Sequence, residues 1–111
     1  MTSLALPIDP RHNAFGFLED ALDEFNGYVF ADGELEVPPA IAFRRLGETA
    51  YMVLDELPTG WANRHIRRLA QHMARTARLG LRGNIDSPLQ LGALVSGQTR
   101  KRREVRAKLL H

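Results

Sequence analysis

Residues 59–83 read TGWANRHIRRLAQHMARTARLGLRG, and their order sorts cleanly when wound on a 3.6-residue period. Arg64, Arg67, Arg68, Arg75, Arg78 and Arg82 then gather, with Gln71 among them, in an arc about 100° wide. Ala62, Ile66, Leu69, Ala70, Met73 and Ala77 make an apolar stripe on the other side. Pro58 followed by Thr59 as candidate N-cap predicts the start of this helix, and Gly80 then Gly83 its end. One face is built for burial. The other carries guanidinium groups roughly 5 to 6 Å apart, turn by turn.

A charged helix face is often only a solvated face, and arginine is a good helix former. Here the charges are of one sign, and nothing acidic lies between Thr59 and Asn84. Arg64 and Arg68 at i,i+4, and Arg75 and Arg78 at i,i+3, repel each other in a free helix, so a compensating partner is expected. A linear row of positive charge matches a phosphate backbone. We therefore expect nucleic-acid contacts from this arc.

The chain has 111 residues and no cysteine. That length suits one domain, residues 1–111, with a single modest core. Without cysteine there is no disulfide, thiolate metal site or cysteine nucleophile, which fits a reducing, cytoplasmic setting. MTSLALPIDP has neither a basic start nor a long apolar run, so no signal peptide is expected, nor any membrane partner. The net charge of +2 conceals a split. Residues 1–57 hold three basic against eleven acidic side chains, a balance of −8; residues 58–111 hold twelve against two, a balance of +10. Such asymmetry implies a nucleic-acid partner for the basic half, or complementarity between halves within one molecule or between copies.

Along the chain, residues 1–10 read as an extended lead with Pro7 and Pro10. A first helix is predicted over 10–26, stopping at Gly27, with Ala14, Leu18, Ala21, Leu22 and Phe25 inward. Glu19, Asp20, Asp23 and Glu24 occupy its outer side, as a solvated face or as a surface for a neighbour's basic ridge. Asp32-Gly33 within residues 28–37 signals a short β-hairpin or ordered loop. Pro38 and Pro39 start a second helix that turns Phe43, Leu46, Ala50, Val53, Leu54 and Leu57 inward, with Gly47 marking close packing of a neighbour. LGLRGN, residues 79–84, reads as a helix cap and turn, since it lacks the ending of a phosphate-binding loop.

Ser87-Pro88 opens another helix, over 87–96, with Leu89, Leu91, Leu94 and Val95 available for burial. Gly97 then suggests a turn, followed by a basic helix over 99–110. The terminal segment 98–111 carries Arg100, Lys101, Arg102, Arg103, Arg106 and Lys108, and such a segment settles on a polyanion or a partner. The pair resembles a helix-turn-helix, although Arg103 stands where an apolar residue is usual and only Gln98 is at hand to read a base edge. Backbone contact is favoured over sequence reading.

Trp61, His65 and His72 border the arginine arc, where flat rings can stack on unpaired bases; burial of Trp61 against the next helix is the alternative. His65 and His72 are seven apart, too far for one zinc ion, and His12 and His111 stand apart from them, so no metal and no cofactor is expected. No serine, threonine or lysine sits beside a recognisable base, so neither an enzyme nor a small-molecule substrate is expected.

The expected architecture is mostly all-α: a compact bundle of four to five helices around Leu18, Leu22, Phe25, Leu46, Val53, Leu54, Ile66, Leu69, Met73 and Leu94. The expected function is non-catalytic nucleic-acid binding through Arg64, Arg67, Arg68, Arg75, Arg78 and Arg82, extended by Arg100, Lys101, Arg102, Arg103 and Arg106. In size, helical character and split charge the chain looks like the small helical subunits of multi-protein nucleic-acid effector complexes such as those of CRISPR systems. That likeness implies further copies or other protein subunits as partners, holding a DNA or RNA strand by its backbone. A dimeric helix-turn-helix regulator using residues 87–110 is the second expectation. A small inhibitor or adaptor docking on an acidic protein surface is the third.

Overall fold

The computed structural model describes residues 10–109. The extended lead over 1–9, and residues 110 and 111 with His111, lie outside the described residues. Four α-helices follow in order: α1 (Pro10–Val29), α2 (Ala40–Glu56), α3 (Arg64–Leu81) and α4 (Pro88–Leu109), with a 3-10 turn (Trp61–Asn63) leading into α3. The fold is all-α, and four helices replace the range of four to five.

Among the described residues there is no strand, so of the hairpin or ordered loop expected near 28–37 the hairpin is not formed. α1 instead runs through Gly27 to Val29, whose side chain is fully buried. Burying a valine is worth about 1.5–3 kcal/mol, more than the ~1 kcal/mol that a helical glycine costs. The chain then reverses through a turn in which Gly33 donates to the Phe30 carbonyl, with Gly33 at φ 79°. Asp32-Gly33 thus marks a reversal of direction, but one bond from Glu36 N–H to the Val29 carbonyl stands where a ladder was expected.

The second correction concerns α4. Its residues form one uninterrupted helix, where two helices with a turn at Gly97 were expected. Gly97 is small for another reason: a Cβ there would stand 3.0 Å from Cε1 of His72 on α3. Close approach of two helices, not a break in one, explains this glycine. The reading head of a helix-turn-helix is therefore not formed. At the start of α4 the expectation holds: Ser87 Oγ accepts from Gln90 N–H, capping the helix before Pro88.

α3 lies at the middle of the bundle, packed most extensively on α2 and next on α4, while α1 packs on α2 and touches α3 and α4. α2 and α3 run in opposite directions, since Gly80 meets Phe43 and Ala77 meets Gly47 further along. At Gly80 a Cβ would clash with the edge of the Phe43 ring at Cδ1, Cγ and Cε1, and at Gly47 it would lie 3.0 Å from the Ala77 methyl. Gly80 therefore serves packing, and Gly83 alone ends the helix. With Gly83 at φ 72°, its N–H donates to Gly80 and Asn84 N–H to Leu79, a Schellman cap.

Of the expected core, Leu18, Leu22, Phe25, Leu46, Val53, Ile66, Leu69 and Met73 are buried, and Leu54 and Leu94 pack against it half-buried. Ala62 is exposed, because the chain is still in the 3-10 turn there and Thr59 caps nothing. No helix among the described residues is long and apolar enough to cross a membrane.

Candidate nucleic-acid interface

The amphipathic order of α3 decides which of its sides can be functional. Ile66, Leu69, Ala70, Met73, Ala74, Thr76 and Ala77 are buried, which turns the arginine arc outward. Arg68, Arg75, Arg78 and Arg82 are all exposed along it. Among the described residues no carboxylate pairs with these four. Arg78 is steadied from the side by α2, its NH1 donating to the Tyr51 hydroxyl at 2.7 Å.

Two arginines of the arc have other work. Arg67 NH1 donates to the carbonyls of Leu54 and Leu57, at 2.9 and 2.8 Å. These belong to the last turn of α2 and the residue that caps it, where carbonyls have no partner within the helix. Arg67 lies at the edge of the arc nearest α2, so its charge serves that helix end. Arg64 donates to the Trp61 carbonyl at 2.7 Å, and its guanidinium carbon sits 3.7 Å from the centre of the Trp61 ring.

α4 runs opposite to α3, since His65 lies by Glu104 and Lys108 while His72, two turns later, meets Leu94 and Gly97. The basic residues of α4 point to different sides of the helix. Arg102 donates to Glu19 and Asp23 of α1, at 2.9 Å each, and Arg106 also pairs with Glu19. Burial alone would lower the Arg102 pKa, but its hydrogen bonds to Asp23 and Glu19 outweigh that and hold it raised. Arg102 and Arg106 of the terminal segment thus pair within the chain, on the face of α1 carrying Glu19 and Asp23. Arg103 is exposed, on a side of α4 away from buried Leu91, Gln98 and Val105. Gln98, the candidate base reader, is 2% exposed and donates to Thr76 Oγ1, so it faces α3 and not a groove.

Arg100 and Lys101 take another side of α4, where with Arg75 they act on His72. Lys108 joins Arg64 and Arg68 around His65. Lys108 is not among the basic residues expected at the site, although its seven-residue spacing from Lys101 puts both on one side of a helix. The two histidines therefore mark a seam between two basic rows. His72 is held below its ordinary 6.5, first by burial and then by Lys101, Arg75 and Arg100, with the Leu94 hydrogen bond opposing. Its Nε2–H donates to the Leu94 carbonyl at 3.1 Å, so this half-buried ring packs between α3 and α4. His65 is lowered too, by burial first and then by Arg64, Lys108 and Arg68 against the opposing charge of Glu104. Both His65 ring nitrogens are buried, with no hydrogen-bond partner among the described residues.

Trp61 differs from both histidines. It is 78% exposed, so it is not packed against the next helix. Fold and surface together define an all-α protein with one basic face built on α3 and flanked by α4. Comparison with protein-family models, curated proteins and solved structures found no match.

Proposed function

We propose that the protein binds nucleic acid without catalysis, holding the phosphate backbone along the exposed side of α3. The observation that carries this reading is the contrast among its arginines. Arg45, Arg102 and Arg106 each pair with a carboxylate, whereas Arg68, Arg75, Arg78 and Arg82 stand exposed in one arc with none among the described residues. Arg100, Lys101 and Lys108 add charge along the α4 side of the same face. Backbone contacts without base reading fit a helix whose polar side is arginine with a single glutamine, Gln71. The split charge fits a subunit lying beside copies or other proteins on one strand, its acidic α1–α2 surface toward a neighbour's basic flank.

The test is fluorescence anisotropy of random-sequence single-stranded RNA, single-stranded DNA and duplex DNA, titrated from about 50 to 200 mM salt. Four to five phosphate contacts give a log–log slope of about −3 to −4.5. Arg68→Glu with Arg75→Glu is expected to weaken binding by about a hundredfold or more while leaving the far-ultraviolet circular dichroism unchanged. Equal binding by that variant, or no binding at the lowest salt, refutes the reading.

A further inference from the structure

Trp61 is 78% exposed, a large apolar ring left in water beside a row of cations. Aromatic rings of this size normally cover themselves with protein or with a partner. The ring is not loosely placed. Asn63 ties the loop by donating Nδ2–H to the Pro58 carbonyl at 2.8 Å and its backbone N–H to Gly60 at 3.1 Å. Arg64 covers one side of the indole, 3.7 Å from its centre, and is fixed there by its bond to the Trp61 carbonyl. With one side under a guanidinium and the residue still so exposed, the opposite side is open to solvent.

We infer that this open side stacks an unpaired base, making single-stranded nucleic acid the preferred ligand of the basic face. The inference rests on the backbone-binding reading and adds the kind of strand to it. Trp61 precedes α3 directly, so a strand whose phosphates follow Arg75 and Arg68 arrives at the indole with its bases. A base laid on the open side completes a stack of guanidinium, indole and base. In a duplex each base is already stacked between its neighbours, and no such side is on offer. Every base has a π-face, so stacking of this kind is sequence-tolerant and serves RNA and DNA alike.

The chain has one tryptophan, so its fluorescence reports this ring alone. Binding is followed by anisotropy of labelled oligouridylate, oligothymidylate and a duplex, with Trp61 emission recorded in the same titrations. Single strands are expected to quench the emission in step with binding. Duplex DNA and inorganic polyphosphate are expected to leave it unchanged. Trp61→Ala should weaken single-strand binding about tenfold and duplex binding hardly at all, while Trp61→Phe keeps most of the affinity. RNA and DNA arms show which backbone is preferred. Single strands that bind without quenching, a duplex that quenches equally, or a Trp61→Ala loss common to all strands would each overturn the stacking role and leave the ridge intact. No binding of any strand in the anisotropy overturns both.

Discussion

At the scale of single residues, the buried polar groups of this protein are concentrated where α3 meets α4. His72, Thr76 and Gln98 form a short chain: Gln98 Nε2–H donates to Thr76 Oγ1, which donates to the His72 carbonyl, while the His72 ring donates to Leu94. Such groups hold two helices in one register, and of the three only His72 can change its charge. His72 and His65 both have folded pKa values below the ordinary 6.5, so the folded protein favours their neutral forms. The unfolded chain takes up protons from about pH 6.5 downward, before the folded protein does. Their contribution is therefore full above that pH and is lost as pH falls through the lower folded values. The urea midpoint is expected to drop between about pH 7.5 and 5.5, and His72→Gln should flatten that drop. A midpoint independent of pH over that range, or an unchanged slope in the variant, would count against it.

At the scale of helices, closeness of approach is set by glycine. Gly80 lets α3 lie against the Phe43 ring of α2, and Gly97 lets α4 lie against His72. Gly27, by contrast, is exposed near the end of α1 and has nothing within 4 Å of where a Cβ would be. The same substitution should thus have opposite signs at two sites. Gly80→Ala forces the ring or the helix to move and is expected to destabilise by about 1–3 kcal/mol. Gly27→Ala removes backbone freedom from the unfolded chain at no steric cost and should stabilise by about 0.5–1 kcal/mol. Urea unfolding with unchanged m-values checks both. If Gly80→Ala were neutral, the α2–α3 contact would have to be looser than described. Arg67 adds to the same contact by serving the carbonyls at the end of α2, a use of charge that does not draw on the exposed face.

At the scale of the whole molecule, the acidic and basic halves are not independent surfaces. Glu19 and Asp23 hold Arg102 and Arg106, so the helix that ends the described chain is fastened to the one that begins it. These carboxylates also lower the positive potential near α4, and removing their charge should act on two properties at once. Glu19→Gln with Asp23→Asn is expected to reduce thermal stability modestly, since partly exposed pairs are worth about 0.2–1 kcal/mol each. The same variant should bind nucleic acid severalfold more tightly at about 100 mM salt, through a steeper salt slope. A thermal scan and the anisotropy titration measure the two effects separately. An unchanged affinity would show that Arg102 and Arg106 lie out of reach of the bound strand.

The sequence by itself determined that α1, α2 and α3 are helices, most of the core and the outward arc of α3, because a 3.6-residue period sorts side chains before any neighbour is present. It also determined the cap at Ser87 and the stop at Gly83, which depend on local backbone conformation. What only the tertiary structure decided is how residues with two uses were employed. Gly97 is read along the chain as a turn and Gly80 as a stop, yet both are packing sites against His72 and Phe43, residues far away in sequence. Arg67 and Arg102 look like their neighbours on a helical wheel, but α2 supplies carbonyls to the first and α1 supplies carboxylates to the second. Periodicity assigns a side chain to a side of its own helix. Which group stands across from that side depends on where the other helices lie, and that decides which arginines remain open to a phosphate.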